Sequence, residues 1–426
     1  MTRFMLLSLA IAGATWAQSY AGGETAPKGG ESTFLSKEDD TGFLGLSALD
    51  LSIKSKDELF EMAFSGKADL IVYGIPSDAP GVLGPKRTFF VDKGDLFVDA
   101  WVGKVLYAFV DARTDRGENP SDDNQAGRME QYFLRLSNPG AFDISIQLGK
   151  FPGVIGNFIP RHDGPNDNFL RYPIVYDHPT DLGWRKPQKS NAGLIAKRDQ
   201  QHEWDRGMPV IWGAYYATGG AMFGSWEFLN WRFAAMNTAP GDWPEGWALS
   251  WDDHEDKFNY MGRLGVVPLF GLEVGLNVSR GPYLDKDAEA KLGGKDRDEF
   301  HQILYGIDAT YSMGDLDLYF EAYQSEWQAH NIQGDLKTWA WYVEGKYTFV
   351  PGFYGALRFG REAFSSIRDS DGERKTWDRD VDRLEIGAGY WLKKNLLLRC
   401  EVERNWTEAD GQAGENTYDL GLTLSF

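Results

Sequence analysis

The feature that most constrains the fold of this chain is the alternation of short and long connections between segments of alternating polarity. The connections at 313–315, 351–352 and 393–395 are tight, whereas those at 365–380 and 407–416 are long and polar. Every second connection of an antiparallel meander lies at the same end of the sheet. One end of the predicted sheet therefore carries short turns and the other end carries long loops, an arrangement that a soluble β-sandwich does not require.

The segments between these connections have the length and period of membrane-crossing strands. The last ten residues alternate strictly between apolar and polar side chains, which indicates a strand with one polar and one apolar face. Short turns at one end, long loops at the other and strands of about 10 residues are typical of outer-membrane β-barrels. The predicted fold is an all-β, transmembrane antiparallel β-barrel of about 16 strands, within roughly 14–18. We predict strands near 67–75, 88–101, 104–113, 128–137, 141–151, 209–217, 222–233, 258–266, 271–280, 301–312, 316–327, 337–349, 353–365, 381–392, 396–406 and 417–426.

The N-terminal residues predict export. Arg3 precedes a short apolar run and then small residues, the pattern of a secretory signal peptide, which we place at 1–21. We assign 22–66 to a periplasmic lead and 67–426 to the barrel. Ser55 and Glu58 have the spacing of a capping box, so a short periplasmic helix is predicted over about 56–65.

Composition excludes several classes of function. The chain has 426 residues and a net charge of −19, and this negative charge makes it a poor candidate for binding nucleic acid. The single cysteine, Cys400, excludes an internal disulfide framework, and its register places it on the lipid-facing side. No cofactor is expected.

Charged residues occupy the face of the predicted strands that points into the barrel. In a wide, water-filled barrel they would line the lumen and tune ion selectivity. The alternative is that they form ion pairs between neighbouring strands, worth about 0.2–1 kcal/mol each, and both interpretations remain open. The predicted pore-lining residues are Asp317, Glu321, Glu344, Lys346, Arg358, Glu362, Arg383, Glu385, Arg399, Glu401 and Glu403.

The connection over 152–208 is much longer than the others and is rich in proline, arginine and aromatic residues. Long insertions of this kind are usually functional or disordered. Its aromatic residues favour an ordered loop that packs on the inner wall, so we predict a constriction loop. An external cap or a contact with a neighbouring protomer is the alternative. The candidates to face a solute are Arg161, His162, Arg171, Tyr176, His178, Trp184 and Arg185.

With its signal sequence, sorted loops and aromatic C-terminus, the chain resembles Gram-negative outer-membrane porins. The resemblance implies that the last strand, with Tyr418 and the terminal Phe426, is the assembly signal for the barrel-assembly machinery. The stretch "LGKFPGVIGNF" at 148–158 is similar to a pattern of phosphate-selective-type porins. Those porins line their pores with arginine and lysine, whereas this chain is acidic overall. The resemblance also implies outer-membrane lipid and lipopolysaccharide as surroundings, and it allows a homotrimer.

Motifs for catalysis or metal binding are absent from the sequence. The six histidines show no metal-ligand spacing, and no nucleophile elbow or phosphate-binding loop occurs. An outer-membrane hydrolase assembled across strands remains a minor alternative. The acidic run at 252–256 is read as a solvated loop rather than a cation site, because it lacks the pattern of an EF-hand.

These observations predict a function in the outer membrane. The chain is expected to be a porin that lets ions and small polar solutes diffuse passively. Carbohydrates are included because Tyr319, Tyr323 and Tyr342 lie on the predicted inner face. The rival from another class is a structural or adhesive barrel with a plugged lumen.

Overall fold

The structure of this chain is a computed structural model that describes residues 51–57, 59–74, 89–116, 126–138, 143–200, 207–242, 258–334, 336–407 and 415–426. The predicted signal peptide and the acidic run at 252–256 lie outside these residues.

Strands dominate the described chain. They are β1 Ser52–Lys54, β2 Phe60–Gly74, β3 Phe89–Val102, β4 Leu106–Arg116, β5 Ala126–Asn138, β6 Ile144–Pro152, β7 Tyr216–Trp226, β8 Leu229–Met236, β9 Asn259–Leu269, β10 Leu272–Pro282, β11 His301–Met313, β12 Leu316–Trp327, β13 Leu336–Val350, β14 Phe353–Phe364, β15 Ser366–Arg368, β16 Arg374–Thr376, β17 Val381–Lys393, β18 Leu396–Thr407 and β19 Glu415–Ser425. The α-helices are Ile174–Asp177 and Asn191–Gln200, and the 3₁₀ helices are Ile159–Arg161, Gly164–Asn166, Lys286–Lys291 and Arg297–Glu299. Among the described helices, none has the length and apolar character needed to cross a membrane.

Sixteen strands, β2 to β14 and β17 to β19, form one closed antiparallel barrel. Each barrel strand pairs with its neighbour along the chain, and β19 pairs with β2 from Tyr418–Gly74 to Ser425–Lys67. The terminal Phe426 completes the closure, because it exchanges backbone hydrogen bonds of 2.9 and 3.0 Å with Gly66. Closure leaves no open edge in the sheet, as the sequence predicted.

Side chains alternate between the two faces of the barrel wall. On β19, Tyr418 and Leu420 are 57% and 52% exposed on the outside, whereas Asp419 and Thr423 are 4% and 2% exposed on the inside. Cys400 lies on the outer face, as expected. The apolar exterior matches the surface that lipid covers in a membrane barrel.

The short and long connections are sorted to opposite ends. The turns between β7 and β8, β9 and β10, β11 and β12, β13 and β14, and β17 and β18 each contain two residues. The long connections leave the opposite end, and the longest of them joins β6 to β7. This segment occupies the third long-loop position along the barrel.

The predicted helix over 56–65 is wrong, because β2 already begins at Phe60. Ser55 does act as a capping residue, but of a turn: its Oγ accepts the N–H of Phe60 at 2.9 Å and donates to Asp57 at 2.5 Å. This turn reverses the chain between β1 and β2, which pair over three residues. The barrel wall therefore begins before residue 67.

The strands predicted near 209–217 and 222–233 are wrong in position, because they leave a turn around Gly219 and Gly220. In the structure both glycines lie inside β7, and the turn is at 227–228. A Cβ on Gly219 would lie 2.1 Å from the carbonyl oxygen of Ala235. These glycines therefore serve the close approach of neighbouring strands rather than a reversal of the chain.

A charge on the outer face of β19 should destabilise the barrel. We expect Leu420→Arg to lower the free energy of unfolding in lipid by about 2–4 kcal/mol if the residue lies near the bilayer midplane. Leu420→Phe, which keeps the position apolar, is the matched control and should stay close to the wild type. Urea titration of protein folded into vesicles measures both, and equal losses for the two variants would contradict the assigned facing.

Candidate functional site

The segment between β6 and β7, here called the inward segment and described over 153–200 and 207–215, folds into the barrel. Its backbone and side chains bond to inward-facing groups on strands around the wall. Gly156 donates its N–H to Asn277 of β10 at 2.9 Å, and Arg232 of β8 donates to the carbonyl oxygen of Gly156 at 3.3 Å. The interior is therefore occupied by the chain itself over part of its cross-section.

Glu321 of β12 holds the start of the inward segment. Its Oε1 accepts the backbone N–H groups of Asn157 at 2.5 Å and Phe158 at 2.7 Å, and its Oε2 accepts the hydroxyl of Tyr176. A carboxylate that receives several donors is well satisfied when buried. Glu321, predicted to line the pore, therefore binds the segment that was predicted to narrow it.

A second anchor is a chain of alternating charges on β13, β14 and β17. Arg161 forms a two-pronged ion pair with Glu344 at 2.9 and 3.0 Å and lies 3.9 Å over the ring of Tyr319. Arg358 donates to the same carboxylate at 3.3 Å and to Glu385 at 2.6 and 2.5 Å. Buried pairs of this kind cost several kcal/mol when one partner is removed. The arrangement thus fixes the inward segment to this side of the wall.

The middle of the inward segment is bound by β18 and β19. The N–H groups of Leu170 and Arg171 donate to Oε2 of Glu401 at 2.6 and 3.2 Å. The guanidinium of Arg171 bonds Asp419 at 2.5 and 3.2 Å.

Arginines of the wall also bind the carbonyl groups of the segment. Arg399 donates to the carbonyl oxygens of Asp167 at 3.1 Å and Phe169 at 2.9 Å. Arg383 donates to the carbonyl oxygen of Tyr172 at 3.3 Å and to the carboxylate of Asp177 at 3.0 Å, and it lies 3.4 Å from Glu403. These arginines satisfy backbone acceptors that no sheet or helix could satisfy here.

Two histidines of the segment, His162 and His178, are buried and partnered. The ring of His162 contacts the carbonyl oxygen of Ile159 at 2.5 Å and the hydroxyl of Tyr216 at 2.7 Å. Burial lowers the pKa of His162 to about 4, so this ring is neutral at pH 7. His178 contacts Glu362 at 3.0 Å.

Asp163 binds a group of cations on the opposite wall. Its carboxylate pairs with Lys67, with Lys93 at 3.3 Å and with Arg113 at 3.6 Å. Burial raises the pKa of Asp163, but the three cations together hold it well below its usual range. The inward segment therefore crosses the lumen, because β2–β4 bind Asp163, whereas β10 and β12 on the other side of the barrel bind Gly156 and Asn157.

The remaining predicted residues lie near the two ends of the barrel. Arg185 pairs with Asp285 at 3.1 Å at the long-loop end, and its side chain is 47% exposed. The neighbouring Trp184 packs against Trp212 with 5.7 Å between ring centroids. Asp317 and Lys346, beside the short turns, are 3.8 Å apart with side chains 28% and 26% exposed.

The structure thus divides the predicted site residues into two groups. Arg185, Asp317 and Lys346 keep substantial contact with solvent. The buried group lies where the inward segment meets the wall, and consists of Arg161, His162, Arg171, Tyr176, His178, Glu321, Glu344, Arg358, Glu362, Arg383, Glu385, Arg399, Glu401 and Glu403. Within it, Glu385 and Glu403 pair with the wall arginines Arg358 and Arg383. Trp184, which is half-buried, belongs to neither group. Whether either group meets a permeating solute stays a prediction.

Several anchoring residues were missed in the sequence. Lys67, Lys93, Arg113 and Asp419 bind the inward segment, yet only alternation on β2–β4 and β19 pointed to their inward facing. Their charges on that predicted face were the available signal. Asp163 was missed because it lies in an irregular stretch, where no period assigns a direction.

Comparisons with known proteins show the fold. No family model and no curated protein matches the chain, whereas solved porin structures do. An anion-selective porin from Comamonas acidovorans is 13% identical, with a TM-score of 0.53, over 86% of this chain and 100% of that one. The outer-membrane channel DcaP of Acinetobacter baumannii is 11% identical, with a TM-score of 0.55, over 88% and 99% of the two chains. Salmonella typhi OmpF, solved with daunomycin, is 11% identical, with a TM-score of 0.54, over 88% and 100%. The chain is therefore similar in fold to outer-membrane porins.

Removing the acceptor at the first anchor should loosen the inward segment. In Glu321→Gln one acceptor oxygen becomes an amide donor, which leaves buried donors unpaired at about 1–3 kcal/mol. We expect faster proteolytic cleavage within the inward segment of the folded barrel. The control is Asp317→Asn, at a partly exposed carboxylate, which should leave the cleavage rate unchanged. Equal rates for wild type and Glu321→Gln would contradict the anchoring role.

Proposed function

We propose that the protein is an outer-membrane channel through which ions and small polar solutes, including carbohydrates, diffuse passively. The observation that carries this proposal is a closed barrel with an apolar exterior and a charged interior. The similarity in fold to solved porins supports it. Outer-membrane lipid and lipopolysaccharide as surroundings, export by a cleaved signal peptide, insertion by the barrel-assembly machinery and a homotrimeric state belong to the same proposal.

The inward segment is the proposed constriction. Its anchors on opposite walls make it span the lumen, so a solute must pass beside it rather than through an open tube. Fixed anchors also hold the width of the passage constant, which a channel that sorts solutes by size requires. Tyr319 is half-buried and would offer a sugar one ring face, because Arg161 covers the other. Tyr323 and Tyr342, which were expected to serve sugars as well, are buried at 2% and 0% exposed and do not face the passage.

The charges of the inward segment favour a weak preference for cations. Two of its arginines, Arg161 and Arg171, are withdrawn from solvent, with side chains 10% and 6% exposed, whereas Arg185 at the long-loop end is 47% exposed. Two of its acids are more accessible, with Asp163 and Asp177 24% and 29% exposed. At physiological salt, charges are screened within about 8 Å, so groups at the constriction outweigh those of distant loops.

A plugged barrel is the second candidate, and the burial of interior charges favours it. Arg358, Glu344 and Glu362 are 0% exposed. A hydrolase finds less support, since His162 is buried and bonded to Ile159 and Tyr216.

Excision of part of the inward segment distinguishes the proposed channel from the alternative of a plugged barrel. Residues 157–178 are replaced with a short Gly/Ser bridge, which removes the anchors and exposes the charged wall to water. We expect the wild type to conduct in planar bilayers and the deletion to conduct several-fold more. Heat-modifiable migration controls for folding. A silent wild type beside a conducting deletion would establish the plug and overturn the channel.

Ion selectivity tests the charge argument. In a tenfold KCl gradient the zero-current potential should have the cation-selective sign at pH 7. Burial raises the pKa of Asp177 above that of a free aspartate, although Arg383 opposes the effect. Asp177 therefore takes up a proton at a higher pH than a free aspartate does, and the cation preference should weaken as the pH falls.

Asp177→Asn should show the weaker preference already at pH 7. The matched control is Asp371→Asn, at an exposed position of the long loop after β14, which should behave as the wild type. A clear anion-selective sign for the wild type would contradict the proposal.

A further inference from the structure

Two groups of three carboxylates lie inside the barrel, and they differ in what neutralises them. Asp69, Asp95 and Asp163 each offer an oxygen within 4.8 Å of the others. The ammonium of Lys67 lies among them, 3.7 Å from Asp69, 3.2 Å from Asp95 and in contact with Asp163. In this first group, the ammonium of Lys67 occupies the position that a metal ion would otherwise take.

The second group consists of Glu385 on β17 and of Glu401 and Glu403 on β18, with oxygens again within 4.8 Å of one another. Glu385 and Glu403 are direct partners across the two strands, an arrangement in which like charges destabilise a sheet. All three side chains are nearly inaccessible to solvent, at 1%, 3% and 0% exposed. Their mutual repulsion is therefore not relieved by bulk water.

The protein leaves oxygen atoms of this second group without donors. Oε1 of Glu401 and Oε2 of Glu403 are buried and receive no hydrogen bond. Three guanidiniums lie around the group. Arg358 donates to Glu385 and Glu344, Arg383 donates to Asp177 and approaches Glu403 to 3.4 Å, and Arg171, which is bonded to Asp419, also interacts electrostatically with Glu403. Each of the three guanidiniums therefore also serves an acceptor outside the group.

The geometry points to a metal-ion site, and we propose that Glu385, Glu401 and Glu403 bind one Ca²⁺. Carboxylate oxygens are the ligands that Ca²⁺ prefers, at about 2.3–2.6 Å, and it tolerates irregular coordination. Two oxygens bound to one ion lie at most about 5 Å apart at such distances, which the separation of 4.8 Å satisfies. The unpartnered oxygens of Glu401 and Glu403 are the atoms that the ion would satisfy.

The ion would act on the inward segment, which rests on the same residues. The other oxygen of Glu401 accepts the N–H groups of Leu170 and Arg171, and Arg358 donates to the carbonyl oxygen of Arg171 at 2.5 Å. A bound Ca²⁺ fixes these carboxylates and with them the middle of the segment. This consequence for permeation rests on the proposed channel function, whereas the binding itself does not.

Calcium binding is measured on the folded barrel in detergent, so the result is independent of conductance. After treatment with EDTA, equilibrium dialysis against ⁴⁵Ca²⁺ should show one saturable site per chain that Glu403→Gln weakens at least tenfold. Glu373→Gln, which removes an exposed carboxylate of the long loop after β14, is the matched control and should bind as the wild type.

The wild type alone keeps the proposal testable if Glu403→Gln fails to fold. Absence of stoichiometric binding to the EDTA-treated wild type overturns the site and means that protons or water balance the three carboxylates. Binding that Glu403→Gln leaves unchanged, or that Glu373→Gln abolishes, places the calcium in the outer loops and overturns it as well.

Discussion

The pairing of β19 with β2 is the interaction on which the rest of the structure depends. In a bilayer, each backbone N–H and C=O must find its partner within the protein, and only a closed sheet achieves this. The hydrogen bonds between Phe426 and Gly66 complete the closure at the end of the barrel that carries the short turns. Closure creates an interior, and the partners available inside it determine the role of each charged residue on the inner face of the wall.

An interior charge has to be hydrated or paired, and this barrel pairs many of its charges with its own inward segment. Glu321, Glu344 and Glu401 take hydrogen bonds from the segment, while Arg358 and Arg399 give hydrogen bonds to its carbonyl groups. The two interpretations left open by the sequence, selectivity rings and supporting ion pairs, were both framed for the wall alone. The structure shows ion pairs between neighbouring strands, such as Arg358 with Glu385, and adds a further partner for the wall, the segment that crosses the lumen.

The wall was predictable because its physics is local. Alternation of polarity locates strands such as β12, β17 and β19 within a few residues, and the two-residue turns follow from the reversals between them. The failures, in contrast, arise where pairing with another strand decides the local structure. Gly219 and Gly220 have the composition of a turn but serve close strand packing, and Ser55 caps a turn where a helix was expected. In both cases the deciding neighbour lies on another strand.

The sequence by itself determined that this chain forms a membrane barrel with sorted loops, because a period of two and the order of short and long connections are properties of consecutive residues. It also marked residues 152–208 as unusual, through length and composition alone. Only the tertiary structure decided that Arg161 binds Glu344, that Asp163 binds Lys67, and that Glu385 lies beside Glu401 and Glu403. These contacts join residues that are distant along the chain or lie on separate strands, and barrel closure together with the irregular path of the inward segment fixes their distances.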